Sequence, residues 1–201
     1  MRLLAVLIAA AALLVVAPAA HGAKPAACRG ADLEPTADTL RAIADTILCV
    51  QNRVRAERAL PPLKANARLA LAAARHTRDM VLGGAFDHVG ADGATLVDRV
   101  VDAKYVKRFD GWMLGENLAW ATGSLSTPQA LVDAWLASSE HRSNLLSKDY
   151  RDVGIGVRLG VPGGGVAGGA TVTVDFGAKA CRKGDDGAGC VVMRPRSKRA
   201  R

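Results

Sequence analysis

Signatures of covalent catalysis are missing from this sequence. It has no GxSxG and no SxxK pattern, which excludes the common serine-nucleophile arrangements. It has no CxxC, so it offers neither a zinc ribbon nor a CxxC redox centre, and its four Cys read as structural. Beyond the N-terminal leader, no segment is long and apolar enough to cross a membrane. Aromatic residues make up only 4 % of the 201, and there are four His. With 21 Gly and abundant Ala, the low aromatic content suits a GC-rich bacterial genome. What is present is the balance of an ordinary globular protein, with 50 % hydrophobic and 23 % charged residues. That balance excludes a disordered chain, a collagen-like one and a disulfide mini-scaffold. About 180 residues remain after the leader, which suits one domain able to fold without a metal.

The leader reads MRLLAVLIAAAALLVVAPAAHG. Arg2 supplies a positive start, Leu3 to Ala17 an apolar run of about 15 residues, and small residues follow. This is the pattern of a secretory signal peptide over 1–22, cleaved after Ala19, Gly22 or Ala23. An uncleaved membrane anchor is the alternative. Lipidation at Cys28 is disfavoured, because Pro25-Ala26-Ala27 lacks the branched residue expected before a lipidated Cys. In an oxidising compartment Cys28, Cys49, Cys181 and Cys190 should form two disulfides. Of the three pairings, loop-closure entropy and the chain layout favour Cys28–Cys49 and Cys181–Cys190.

The net charge of +8 is unevenly placed. From Lys179 onward, eight Lys and Arg stand against Asp185 and Asp186, while the rest of the chain beyond the leader is near neutral. We therefore divide the chain into a leader (1–22), a linker (23–37), a folded domain (38–180) and a basic tail (181–201). The tail is read as a solvated end that meets anionic envelope components, or as a solubilising end with no partner. A nucleic-acid partner is not expected for a secreted chain, and a monomer is.

Leu40, Ile43, Ile47, Val50 and Val54 recur at helical spacing, so a helix is predicted from about Asp38 to Arg58, stopped by Pro61-Pro62. A second runs from an Asn66 cap to Leu82 and ends at Gly83-Gly84. A short helix is predicted over Ala94–Asp102. Gly115–Ala121 reads as a strand or extended segment. Ser126 with Gln129 forms a capping-box pattern opening a helix at Pro128 that ends near Ser138. A further turn is expected from His141 to Leu146. Val153–Leu159 and Ala170–Phe176 alternate as strands, joined as a hairpin across the Gly-rich 160–169. Helices first and a hairpin last give an α+β arrangement.

His76, His88 and His141 are the His beyond the leader, and scarcity makes each worth weighing. His88 lies in a Gly-rich loop, free to point at a cleft. His141 lies at a helix–loop junction. Glu116 sits in a short apolar run, where a carboxylate must be paired or face a polar pocket. His88, His141 and Glu116 could converge as a His₂Glu metal site or as an acid–base cluster. His76 shares an apolar helix face with Met80 and reads as a core His with a backbone partner. Trp135 and Phe86 read as core. Asn117 and Asn144 read as residues that shape loops by bonding backbone. Arg142 reads either as a cleft-rim partner or as simply exposed.

Four segments occur in order: Ala72-Ala-Ala-Arg-His-Thr-Arg-Asp-Met80 with Phe86-Asp-His88; Gly115-Glu-Asn-Leu118; Trp135-Leu-Ala-Ser-Ser-Glu-His-Arg-Ser-Asn-Leu-Leu146; and Asp152-Val-Gly-Ile-Gly-Val157. Together they resemble the bacterial branch of the CAP superfamily (cysteine-rich secretory proteins, antigen 5 and pathogenesis-related 1 proteins), whose unit is also called the SCP domain. The resemblance covers roughly Ile47 to Gly177. It implies a three-layer α-β-α sandwich with a solvent-open cleft, a tetrad of two His and two acids, and an association with zinc or another divalent cation. By position His88 resembles the first His, Glu116 the first acid and His141 the second His. Glu140 is the candidate second acid. Neighbours on a helix project about 100° apart, so Glu140 and His141 share one site only if the helix has already ended. Otherwise the site is a triad completed by water.

The resulting expectation is a secreted binding or interaction module for a lipid or envelope fragment, with a cleft of His88, Glu116, Glu140 and His141. The alternative is a metal-assisted hydrolase of envelope polymers or peptides. There zinc on His88, His141 and Glu116 would activate water, and Glu140 would serve as base. A third reading is an inert domain tethered by its tail.

Overall fold

A computed structural model describes residues 27–107, 111–164, 168–181 and 190–191. The expected signal peptide and the end of the basic tail lie outside these residues. Helix α1 (Leu40–Ala56) buries Ile43, Ile47, Val50 and Val54, the stripe its sequence spacing predicts. The short strand β1 (Lys64–Ala65) leads to Asn66, whose side chain accepts from the Arg68 and Leu69 amides and caps α2 (Ala67–Gly83). Gly84 ends α2 at φ 79°, a left-handed turn that suits glycine. The capping box of α3 (Leu96–Asp102) is Thr95 with Asp98.

Strand β2 (Trp112–Ala121) starts three residues before the extended segment expected there. The expected cap of the next helix is corrected. Helix α4 (Pro128–Ala137) is capped by Thr127, not Ser126, because Thr127 Oγ1 accepts from Ala130 N. Ser126 donates back to Gly123 O within a 3-10 turn, and the Gln129 amide is spent on Asp133. Helix α5 (Ser139–Leu145) follows directly, then β3 (Asp152–Leu159), β4 (Ala170–Ala180) and β5 (Cys190–Val191).

The sheet order is β1-β3-β4-β2, with β5 beside the end of β4. The β3–β4 and β4–β2 pairs are antiparallel. One face carries Val153, Val172, Val174 and Phe176 into a core with α1, α4 and Trp135. The other face packs against α2 and α3 through Leu69, Ala72, Val100 and Tyr105. The result is α-β-α layering, as the resemblance implied. Both expected disulfides are present, Cys28–Cys49 and Cys181–Cys190. The first ties the start of the described chain onto α1, and Gln129 N donates to Ala31 O. The segment from Cys28 to Ala31 is thus joined to α1 and α4. The second joins Cys181 to Cys190, and Cys190–Val191 pairs with Lys179–Ala180 of β4.

Two local features position the site. The first is the close approach of α2. A Cβ on Gly154 would lie 2.0 Å from the Leu69 carbonyl carbon, and one on Gly156 2.5 Å from that of Ala73. Only glycine lets the helix lie this near the sheet. The second is the closed outer edge of β2. Leu114 O accepts from Tyr150 OH at 3.0 Å, Glu116 O from Asn144 Nδ2 at 3.1 Å, and Leu118 O from Trp135 Nε1 at 3.0 Å. These side chains occupy carbonyls that would otherwise template another strand.

Replacing Gly154 by Ala forces backbone against backbone. Chemical denaturation of Gly154→Ala should show a loss of about 3 kcal/mol or more, the upper range for overpacking. A loss below about 0.5 kcal/mol, typical of an unstressed surface change, would mean that α2 does not sit against β3 in this way.

Candidate functional site

The site is built on a loop held rigid from below. Asp87 to Ala94 follows α2, and two buried side chains pin it. His76 on α2 is 1 % exposed and its Nε2 lies 2.9 Å from Asp87 O, the core role with a backbone partner that its position predicts. Arg99 on α3 donates from Nη1 to His88 O at 3.0 Å and Ala94 O at 2.9 Å. The loop therefore presents His88 at a fixed place above β2.

Glu116 rises from β2 on the α2 side of the sheet, with its side chain only 3 % exposed. Its Oε1 lies 2.7 Å from His88 Nδ1, and its Oε2 lies 2.5 Å from Arg99 Nη2. Burial alone would push this carboxyl up. The His88 hydrogen bond and the Arg99 charge outweigh burial and hold it below its ordinary value of 4.5. Because Glu116 is ionised, His88 Nδ1 carries the donated proton and Nε2 faces outward. The His88 side chain is 57 % exposed. Its hydrogen bond to Glu116 raises its pKa above 6.5, against some desolvation.

Asp175 stands directly across from Glu116 on β4 and is fully buried. Neither of its oxygens meets a partner in ordinary hydrogen-bond geometry, yet Glu116 is close enough for the two carboxyls to shift each other. Burial and proximity act together here, because two carboxylates side by side in one buried place do not readily both stay charged. Burial first, and then the Glu116 charge, push Asp175 well above the usual carboxylate range, which favours its neutral form beside Glu116.

The structure thus brings together His88 and Glu116 and adds Arg99 and Asp175. His141 on α5 is near enough for the His88 charge to act on it. Desolvation and that charge lower its pKa, and Glu140 opposes them. Its backbone carbonyl accepts from Asn117 Nδ2 at 3.0 Å. Asn144 and Asn117 bond each other and the backbone, which is their expected loop-shaping role. Glu140 is exposed in the first turn of α5, and its carboxylate makes no hydrogen bond to His88 or Glu116. The helix does continue through Glu140 and His141, so the two diverge. Arg142 is exposed and donates to Leu136 O. Phe86 is corrected: expected in the core, it is 44 % exposed, two residues from His88.

Among the described residues, no three or more His, Cys, Asp and Glu side chains are grouped to hold a metal ion. Glu116 turns one oxygen to the His88 imidazole and one to the Arg99 guanidinium, so in this arrangement it stands beneath His88 as its carboxylate partner and is not presented beside His88 and His141 as a third ligand. Sequence reasoning missed Arg99 and Asp175. Asp175 left a signal, an acid between Val174 and Phe176 in a Val-rich strand. Arg99 left none beyond being an Arg on a short helix of Val residues.

The sequence profile of the cysteine-rich secretory protein family, CAP, matches residues 48–175. A curated relative described as an uncharacterized membrane protein, YlbC of Bacillus subtilis, is 32 % identical over 111 residues, covering 55 % of this chain and 30 % of that protein. The chain thus spans under a third of that relative. A solved extracellular protein containing an SCP domain from Bacillus anthracis is 27 % identical with a TM-score of 0.54, covering 71 % of this chain and 43 % of that one. A solved outer surface protein of Borrelia burgdorferi shares the fold at 20 % identity and a TM-score of 0.53, covering 73 % of this chain and 96 % of that one.

Proton NMR titration should place His88 above 6.5 and His76 and His141 below it. In Glu116→Gln, with folding checked by circular dichroism, the His88 pKa should fall, because its largest support is lost and only the Asp87 charge still opposes desolvation and Arg99. A His88 pKa unmoved by that change would show that the pair does not exist in solution. The raised value also sets a sign. The His88 contribution to stability is complete below pH 6.5 and is lost as pH rises through its folded pKa. Arg99→Met should cost about 3–5 kcal/mol, since it strands the buried Glu116 charge.

Proposed function

Because the chain belongs to the cysteine-rich secretory protein family, we propose that it is an extracellular, envelope-facing binding module whose ligand lies over His88 and His141. The observation that carries this reading is the closed circuit beneath the surface. Glu116 turns its oxygens to His88 and Arg99, so the cluster offers the ligand an oriented imidazole with the carboxylate behind it. The fixed cation is Arg99. The leader sequence supports export, and no described helix is long and apolar enough to cross a membrane. Lipid and envelope fragments are the ligand classes carried forward, and a monomer is the proposed state.

A second reading is hydrolysis. An imidazole oriented by a buried carboxylate is the arrangement of a general base and its orienting partner. On this reading His88 Nε2 activates the water, while Glu140 stands exposed in the first turn of α5 with no hydrogen bond to His88 or Glu116.

The test is co-sedimentation of the mature protein with isolated bacterial envelopes. His88→Ala and His141→Ala, each verified as folded, should lower the bound fraction severalfold. Equal binding by wild type and both variants would overturn the module reading. In parallel, calorimetry should show no stoichiometric zinc uptake at micromolar protein. Tight one-to-one uptake lost in both His variants would restore the metal site.

A further inference from the structure

The described aromatic residues divide sharply. Tyr105, Tyr150, Trp135 and Phe176 are buried, and Trp112 is partly buried, while Phe86 and Trp120 are exposed at 44 % and 47 %. In a chain so poor in aromatics this placement is informative. Phe86 precedes His88 by two residues on the pinned loop, and Val89, 48 % exposed, follows it. Trp120 lies on β2 and, by strand alternation, shares the face of Glu116 and Leu118. It stands about 13 Å along the strand from Glu116. Helix α2 packs on β3 and β4, and α3 on β2, at the end marked by Trp112 and Leu114. Trp120, at the opposite end of that strand face, is left open.

We propose that this face is a saccharide-binding surface, in which Phe86 and Trp120 stack on the C–H faces of sugar rings while His88 and His141 bond their hydroxyls. The proposal rests on the binding reading above and names its ligand class. Two observations choose a sugar over the other candidates. An apolar ligand lying across Phe86 and Val89 would cover the His88 imidazole and give it no partner, which is costly for a polar group and more so for a charged one. A peptide added as a strand is excluded along Leu114 to Leu118, where Tyr150, Asn144 and Trp135 already occupy the edge carbonyls. A saccharide ring offers an apolar face and a polar rim in one unit. It therefore suits an exposed Phe86 close in sequence to the His88 imidazole, with exposed Trp120 farther along β2.

The test uses chitotetraose, an N-acetylglucosamine oligomer, as probe. Binding is followed by tryptophan fluorescence and by NMR shifts of His88 and His141. Wild-type protein should bind saturably and shift both His. Trp120→Ala and Phe86→Ala change exposed side chains, so both should fold, and each should weaken binding about tenfold or more. Unchanged affinity in both variants would overturn the aromatic platform. No binding of chitotetraose by wild type would overturn the saccharide assignment, as would Trp120-dependent binding to phosphatidylglycerol vesicles instead. In either case the envelope co-sedimentation of His88→Ala judges the module reading separately.

Discussion

One carboxylate organises this molecule's candidate site. Glu116 is almost wholly removed from water, yet it stays ionised because a guanidinium and an imidazole each take one oxygen. Burying a charge costs several kcal/mol unless it is paired and hydrogen-bonded, so neither partner can be dispensed with. The same two contacts decide what the surface shows. Arg99 also holds the loop through two carbonyls, so the group that neutralises Glu116 also locates His88. His88 in turn has one nitrogen committed below and one facing out. Asp175, buried across the strand from Glu116, is pushed toward its neutral form, because a second negative charge beside Glu116 would be costly there.

The rest of the fold makes that arrangement possible. Glycines at 154 and 156 let α2 come down onto β3, which carries His76 to the underside of the loop. The opposite face of the sheet is an apolar core of Val, Phe, Trp and Ile, and it supplies the stability that a polar inner layer does not. The contrast between the faces follows from the strand period of two. On β4, Val172, Val174 and Phe176 point one way and Thr171, Thr173 and Asp175 the other. Helix α5 seals the outer edge of β2 and carries His141 to its rim.

Much of this was legible in the amino-acid sequence, for physical reasons. The α1 stripe, the Asn66 cap, the Gly84 stop and the β3–β4 alternation are local signals, and each appears where its residues predict. The two short-loop disulfides follow from loop entropy. His88 and Glu116 were recognised because a polar residue in a Gly-rich loop and an acid in an apolar run both demand explanation. What was not legible depends on contacts between distant segments. Arg99 meets Glu116 from a separate element, and nothing local marks it. Asp175 needed the β2–β4 register to become its neighbour. Phe86 was assigned to the core on hydrophobicity alone, and its exposure is set by a loop whose shape comes from His76 and Arg99. The Thr127 cap displaced Ser126 because a 3-10 turn claimed the serine first, a competition between neighbours that a capping-box pattern does not reveal.

The charge state of Glu116 decides whether this site exists as described, and carbon-13 NMR of its side-chain carboxyl across an acid titration reads that state directly. We expect its resonance to stay that of a carboxylate through and below pH 4.5, while the Asp175 carboxyl stays protonated well above the usual range. A Glu116 carboxyl that titrates above 4.5 would contradict this arrangement, because a carboxyl in that state would be neutral in its buried setting and could neither anchor Arg99 nor orient His88.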